Sequence, residues 1–229
     1  MAARALVSGG LLSASLFAAP STLLAEELRG RVDLLAKGGK SLARDVDVRQ
    51  AVVWFEPATP KPTRAPEAPF EMVTRGKEFQ PRVLAIPRGS KVRFPNADPI
   101  LHNVFSVSGE GFDLGLYKRP KSGSRTFDKP GVYTIYCNIH PQMSALVLVR
   151  DNPHFAKAAK DGSFRIEGVP AGEYKVRAFH ERAGDGAVVT VKVAATGDSA
   201  PLALSLDAES YKRVPHKNKF GKNYGREAY

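Results

Sequence analysis

Glycine and proline punctuate this chain at short intervals, and that spacing is the feature that most limits its fold. The 229 residues include 20 Gly and 17 Pro, and from Leu28 onward the stretches between them are short and apolar. No stretch keeps an apolar period of 3.6 residues over three turns, which argues against long amphipathic helices. Short strands at regular spacing predict an all-β fold with sandwich architecture.

The strand pattern falls into three groups separated by turn residues. The predicted strands are Leu28–Leu35, Val46–Phe55, Glu78–Ile86, Lys91–Phe94, Val104–Val107, Arg125–Phe127, Val132–Tyr136, Ala145–Val149, Ser163–Ile166, Glu173–Phe179, Ala187–Ala194 and Leu202–Leu206. Residues 58–68 are rich in proline, which donates no ladder hydrogen bond, so we predict an extended linker there.

The first 25 residues resemble an export signal. A single early charge, Arg4, precedes an apolar stretch of small residues that ends in Leu-Leu-Ala before Glu26. This layout predicts a signal peptide over 1–25 with cleavage after Ala25, and a protein that is periplasmic or otherwise exported. The alternative is a membrane anchor, but the apolar stretch is short and interrupted by Gly9 for a span of about 20 residues. We therefore expect no transmembrane segment in the mature chain.

Charge and cysteine count restrict the partners and the kinds of site. One cysteine rules out an internal disulfide and every zinc site built from paired cysteines. The net charge of +11 predicts redox partners with acidic docking surfaces. The basic tail, 207–229, is expected to be solvated; the alternative is docking to an acidic protein or, peripherally, to anionic lipid headgroups. Export makes nucleic acid an unsuitable partner.

Cys137, His140 and Met143 follow one another at intervals of three, directly after a predicted strand. A thiolate, an imidazole and a thioether together suit copper, and a weak Met contact is the axial partner in blue copper sites. Such a site needs a second imidazole from another strand end, and His102 is the natural candidate. The hypothesis is one copper ion held by two His and one Cys, with Met143 as the axial ligand.

A structural interpretation of the same residues stays open. Cys137 can be a buried core thiol and Met143 a core side chain, with both histidines at ordinary positions. Of the remaining histidines, we expect His154 at the surface between the domains, His180 near the domain junction and His216 solvated in the basic tail.

Residues 69–150 resemble cupredoxins, the blue copper proteins, of the amicyanin or plastocyanin type. The resemblance lies in Phe79-Gln-Pro-Arg-Val-Leu-Ala-Ile-Pro-Arg-Gly-Ser-Lys-Val-Arg-Phe-Pro-Asn, in the pair His102-Asn103 and in Gly131-Val-Tyr-Thr-Ile-Tyr-Cys with its Cys-x-x-His-x-x-Met loop. It implies a Greek-key β-sandwich with one type 1 copper. By the same resemblance, Asn103 should tie the two ligand loops together, and His140 should lie near the surface as the electron exit.

A second resemblance flanks the first. Asp161-Gly-Ser-Phe-Arg-Ile-Glu-Gly-Val-Pro-Ala-Gly-Glu-Tyr-Lys-Val-Arg-Ala-Phe-His is similar to the carboxypeptidase regulatory-like, or transthyretin-like, β-sandwich, and residues 26–57 resemble its first strands. This implies a smaller sandwich made of 26–57 and 151–206, with the copper domain inserted between the halves. Val52–Phe55 should then pair with strands of the C-terminal half.

These expectations combine into an exported blue copper protein that transfers single electrons between redox partners. It is not expected to be an enzyme, because five histidines cannot build the additional copper centres of copper oxidases or nitrite reductases. The alternatives are a copper-binding or copper-delivery protein, and a structural sandwich whose site is unused.

Overall fold

The structure is a computed structural model that describes residues 26–42, 46–57, 64–193, 200–209, 211–212 and 215–224. The signal peptide predicted for 1–25 and residues 58–63 of the predicted linker lie outside the described residues. Within the described ranges, no helix is long and apolar enough to cross a membrane.

Strands dominate the described chain, which confirms the all-β prediction. Two 3-10 helices, Lys37–Gly39 and Val48–Gln50, are its helical segments among the described residues. The strands are β1 (Glu26–Leu35), β2 (Val52–Pro57), β3 (Phe70–Glu71), β4 (Val73–Arg75), β5 (Glu78–Gln80), β6 (Val83–Pro87), β7 (Ser90–Pro95), β8 (His102–Ser106), β9 (Phe112–Tyr117), β10 (Ser122–Phe127), β11 (Gly131–Tyr136), β12 (Ser144–Arg150), β13 (Phe155–Lys157), β14 (Ser163–Val169), β15 (Gly172–His180), β16 (Gly184–Val193) and β17 (Leu202–Asp207).

The first two strands form two sheets with the last five. One sheet has the order β14-β1-β17 and a second has the order β13-β2-β15-β16. β2 runs antiparallel to β15, with Val53 opposite Ala178 and Phe55 opposite Val176. This is the pairing that the insertion hypothesis requires. The two sheets enclose one core, to which Leu28, Phe55 and other buried residues of both halves contribute.

The central part of the chain forms its own sandwich. A five-stranded sheet with the order β6-β12-β11-β8-β9 faces a three-stranded sheet with the order β10-β7-β3, and β4 and β5 form a small hairpin beside them. Their common core includes Phe94, Phe127, Ile135 and Val147. Both segments of the predicted metal site border this core: β8, which begins at His102, and the loop after β11, which carries Cys137.

The two sandwiches share a third buried cluster, which follows from strand alternation. Successive side chains of a strand point to opposite faces, and β12 is buried on both. Val147 and Val149 face the central core, whereas Leu146 and Leu148 pack with Trp54 of β2. The outer face of the five-stranded sheet that contains β12 therefore packs on the outer face of the four-stranded sheet that contains β2.

Polar contacts reinforce this interface. The guanidinium of Arg82 pairs with Glu181 at 2.6 Å, and that of Arg150 lies 3.8 Å from the ring centroid of Trp54. The amide of Asn152 donates to the carbonyl oxygen of Phe55 at 2.7 Å. The interface thus fixes one sandwich against the other through ionic, cation–π and hydrogen-bonding contacts.

Several strand boundaries differ from the predictions. The strand predicted for Val46–Phe55 begins only at Val52, because a 3-10 helix occupies Val48–Gln50 and the Asp47 side chain accepts from the backbone N–H of Arg49. The strand predicted for Glu78–Ile86 is two strands that belong to different sheets. Four strands, β3, β4, β9 and β13, were not predicted because their apolar runs are short.

Candidate metal centre

Three of the four predicted ligands meet at one point. The Sγ atom of Cys137 lies 3.6 Å from Nδ1 of His140 and 3.9 Å from Nδ1 of His102. The ligand atoms of all three lie within 4.8 Å of one another, and they form the one group of this kind among the described residues. Nitrogen, nitrogen and sulfur atoms in this arrangement are a donor set that suits copper.

Neighbouring strands bring these residues together. His102 is the first residue of β8, and Cys137 comes directly after β11. β8 and β11 are adjacent in the five-stranded sheet, where Phe105 pairs with Tyr136. Residues separated by 35 positions along the chain therefore face each other at one end of the sheet.

The loop between β11 and β12 holds the remaining ligands. The N–H of Cys137 donates to the carbonyl of Met143 at 3.3 Å, and the N–H of Met143 donates to the carbonyl of His140 at 3.0 Å. These bonds close the loop into a compact turn. Met143 is 1% exposed and packs in the same core as Cys137, so the thioether lies on the interior side of the loop.

Exposure differs sharply between the two imidazoles. His102 and Cys137 are both 0% exposed, whereas His140 is half-buried, as are its neighbours Ile139 and Pro141. Exposed apolar side chains, among them Leu101, lie on the chain beside His102. Of the three clustered side chains, His140 is therefore the one that reaches the surface.

Asp98 is a functional residue that the sequence analysis missed. Its Oδ2 atom accepts from Nε2 of His102 at 2.9 Å. Its oxygens also accept from the N–H groups of Gly76 (2.7 Å) and Lys77 (3.0 Å) in the turn between β4 and β5. A carboxylate only accepts, so it places the ring proton of His102 on Nε2 and leaves the Nδ1 lone pair directed at Cys137. Carboxylates orient metal-binding imidazoles in this way.

The electrostatics of the site favour neutral imidazoles. Burial lowers the pKa of His102, although Asp98 opposes this effect. Burial also lowers the pKa of His140, and the nearby His102 and Lys77 lower it further. For Asp98, burial alone would raise the pKa, but the hydrogen bonds from Lys77, Gly76 and His102 together outweigh it and keep the pKa below its ordinary value. Metal binding requires imidazoles without a proton on the ligating nitrogen.

Asn103 differs from the expectation. Its amide was expected to tie the two ligand loops together, but its nitrogen donates to Oδ1 of Asp113 at 2.7 Å and to the carbonyl of Gly115 at 2.9 Å, both in β9. Among the described residues its Oδ1 atom is buried without a hydrogen-bond partner. Asn103 therefore holds β9 against β8, and within the described part of the chain it makes no hydrogen bond to the loop of Cys137.

The remaining histidines are not part of the cluster. His154 is partly buried and stacks on Phe55 with ring centroids 4.8 Å apart, in contrast to the exposed position expected. His180 is buried and lies 3.3 Å from the carbonyl oxygen of Asp47, near the junction as expected. His216 stacks on Tyr136 at 4.1 Å, so this part of the basic tail is not the solvated chain that we expected.

Comparison with known proteins relates the central part of the chain to copper proteins. No family profile matches the chain. Amicyanin-alpha of Methylorubrum extorquens is 30% identical over 89 residues, which are 37% of this chain and 75% of that protein. The chain belongs to the cupredoxin family over part of its length. The resemblance seen in the sequence is confirmed for this domain, whereas the carboxypeptidase regulatory-like assignment of the flanking sandwich stays a prediction.

Two solved structures are also similar to the cupredoxin domain. A copper-containing nitrite reductase from Thermus scotoductus is 27% identical and has a TM-score of 0.36; the match covers 42% of this chain and 26% of that one. A purple cupredoxin from Nitrosopumilus maritimus is 26% identical, with a TM-score of 0.33, and the match covers 35% of this chain and 99% of that one.

The residues of this cupredoxin domain fit a copper ion. The donor set contains one thiol and two imidazole nitrogens that converge, with a thioether in the same loop. The Nδ1 atom of His102 faces the thiol because Asp98 occupies its other nitrogen. Soft sulfur donors combined with imidazoles favour copper over harder cations.

Proposed function

We propose that this cupredoxin binds one type 1 copper ion through His102, Cys137, His140 and Met143 and transfers single electrons between redox partners outside the cytoplasm. The observation that carries the proposal is the convergence of the two Nδ1 atoms on the buried Sγ of Cys137. When bound, copper would supply a one-electron couple at this point.

The scaffold supports rapid electron transfer. His102 is held by Asp98, and the loop of Cys137 is closed by its own backbone bonds. A rigid ligand set changes little between oxidation states, so little reorganisation opposes the transfer. His140, half-buried between Ile139 and Pro141, is the proposed electron exit, because it alone among the imidazoles of the cluster reaches the surface.

The surface charge supports an acidic partner. The chain carries a net charge of +11, and complementary charge speeds encounter between proteins at low ionic strength. The partner is therefore proposed to present acidic side chains, and its association rate should fall as salt rises. The export signal proposed for 1–25 would place this encounter in the periplasm or an equivalent compartment.

The distribution of the five histidines supports an electron carrier rather than an enzyme. Two of the five belong to the cluster, and His154, His180 and His216 each make separate contacts elsewhere. A second copper centre of the kind that acts on a small substrate needs several imidazoles at one place. We propose that the flanking sandwich, formed by 26–57 and 151–206, acts as a scaffold packed against the copper domain.

Copper titration tests the proposal. Copper(II) is added to the chain lacking residues 1–25 and followed by visible absorption and electron paramagnetic resonance. We expect one equivalent to give an intense blue band with narrow copper hyperfine splitting. Cys137→Ser should abolish the band, and His154→Gln, which removes an imidazole outside the cluster, should retain it. Absence of a blue species at one equivalent would overturn the type 1 assignment.

A second measurement separates electron transfer from copper delivery. The copper-loaded protein is reduced and mixed with a copper(I) chelator, and then separately with an oxidised carrier protein. We expect fast, reversible oxidation with copper retained. Rapid loss of copper(I) to the chelator, with slow oxidation, would support delivery instead.

A further inference from the structure

The basic C-terminal segment, residues 215–224, lies against the loop that carries Cys137. The hydroxyl of Tyr224 donates to the carbonyl oxygen of Cys137 at 2.7 Å. The backbone N–H of Lys219 donates to Oδ1 of Asn138 at 2.9 Å. Two residues of the segment thus hold two consecutive residues of the loop.

The same segment reaches the strand next to His102. The ammonium of Lys219 lies 2.5 Å from Oδ2 of Asp113 in β9. The other oxygen of Asp113 accepts from the amide of Asn103, which directly follows His102 in β8. Asn103, Asp113, Lys219 and Asn138 therefore form a continuous polar chain from one ligand strand to the other ligand loop.

The segment is shaped for this contact. The side chain of Asn218 accepts from the N–H groups of Phe220 and Lys222, both at 3.0 Å, and Gly221 takes a positive φ of 73° that a tight turn requires. His216 stacks on Tyr136 with ring planes 24° apart. A turn that forms by itself loses less chain entropy on docking.

We infer that residues 215–224 are an intramolecular clasp that joins the two halves of the metal site. Lys219 and Tyr224 are positioning residues: they act on the ligands through Asn138, Asp113 and the Cys137 carbonyl. The contact itself stands on the structure alone, and its effect on the metal rests on the proposed copper function. The clasp supplies the connection between ligand loops that Asn103 does not make directly.

The clasp should slow opening of the ligand loop. Two internal backbone bonds close residues 137–143, and the clasp adds two bonds from outside the loop. Loss of one such bond typically changes a local equilibrium by roughly three- to tenfold. The N–H groups of Cys137 and Met143 should therefore exchange roughly three to ten times faster when one clasp bond is removed.

Hydrogen exchange of the copper-free full chain tests the inference without any metal. Tyr224→Phe removes one of the two bonds to the loop, whereas Lys219→Met removes the ion pair that anchors the segment to Asp113 and leaves the backbone bond to Asn138. Tyr174→Phe is the matched control, because Tyr174 also donates to a carbonyl, that of Pro170, at 2.7 Å in the other sandwich. We expect faster exchange at residues 137–143 in the two clasp variants, a wild-type rate in the control, and partial recovery in Lys219→Arg.

A copper measurement completes the test. In copper-loaded protein, both clasp variants should release copper to a chelator several times faster and shift the copper hyperfine splitting, whereas Lys222→Met, at an exposed lysine of the same segment, should not. Loop exchange at the control rate in both clasp variants would overturn the clasp. Faster loop exchange in a chain that binds no copper would support the clasp and contradict the proposed function.

Discussion

Replacement of Asp98 should reveal how far the metal site depends on a residue outside the ligand set. The carboxylate accepts three hydrogen bonds, from Gly76, Lys77 and His102. Leaving a buried hydrogen-bond donor without its acceptor lowers the unfolding free energy by about 1–3 kcal/mol. Asp98→Ala leaves all three donors without their acceptor. Taking the low end for each, because Asp98 is 9% exposed, we expect the unfolding free energy of the copper-free protein to fall by about 3 kcal/mol.

Asp98→Asn should have a smaller and different effect. The amide oxygen can occupy the Oδ2 position, where it still accepts from Lys77 and His102, but its NH2 group then faces the N–H of Gly76. The N–H of Gly76 loses its acceptor, so on the same basis we expect a decrease of about 1 kcal/mol in unfolding free energy. The ring proton of His102 stays on Nε2 in this variant, and Nδ1 stays available to the metal.

Copper affinity should separate the two variants further. Loss of a hydrogen-bond partner behind a ligating histidine costs about 10–100-fold in metal affinity, and we expect this for Asp98→Ala but less than tenfold for Asp98→Asn. Urea unfolding gives the first quantity and competition with a chelator gives the second. Asp161→Ala, at an exposed turn that accepts from Ser163, is the control. Wild-type copper affinity in Asp98→Ala would refute the orienting role of Asp98.

Three further predictions concern the scaffold and are tested by urea unfolding. Leu148→Ala, in the cluster shared by both sandwiches, should cost about 2–5 kcal/mol; a loss below about 1 kcal/mol would contradict a shared core. Gly30→Ala should break the pairing of β1 with β17, because a Cβ atom there would lie 2.3 Å from the carbonyl oxygen of Leu202, and wild-type stability would contradict that close approach. Burial lowers the pKa of His180 in the folded protein. As pH falls, the unfolded chain therefore binds the proton first, and the unfolding free energy should decline below about pH 6.5. His180→Gln should flatten this decline, and an unchanged slope would exclude His180 as its source.

The strand content of this protein could be predicted because its signals are local. Alternating apolar residues and Gly or Pro turns lie within a few positions of one another, so most strands were found near their true places. The errors arose where a local hydrogen bond competes with the pattern, as at Asp47 before β2. β9 was missed although Phe112, Leu114 and Leu116 alternate, because Gly115 interrupts the pattern.

The metal site was predictable in part for the same reason. Cys137, His140 and Met143 occupy one loop, so their chemistry and spacing are visible in the sequence. His102 could be proposed only as an available imidazole at a strand end, and the structure brings it to the thiol. Asp98 could not be found, because its role depends on the turn between β4 and β5 that orients its carboxylate.

The sequence by itself determined the strand alternation, the donor chemistry of the ligand loop and the positive charge. The tertiary structure alone decided which faces are shared between the sandwiches and what surrounds the ligands. Tyr224 reaches Cys137 across 87 positions and Lys219 reaches Asp113 across 106. Contacts over such separations depend on how whole sheets pack, and no local hydrophobic period or residue spacing predicts them.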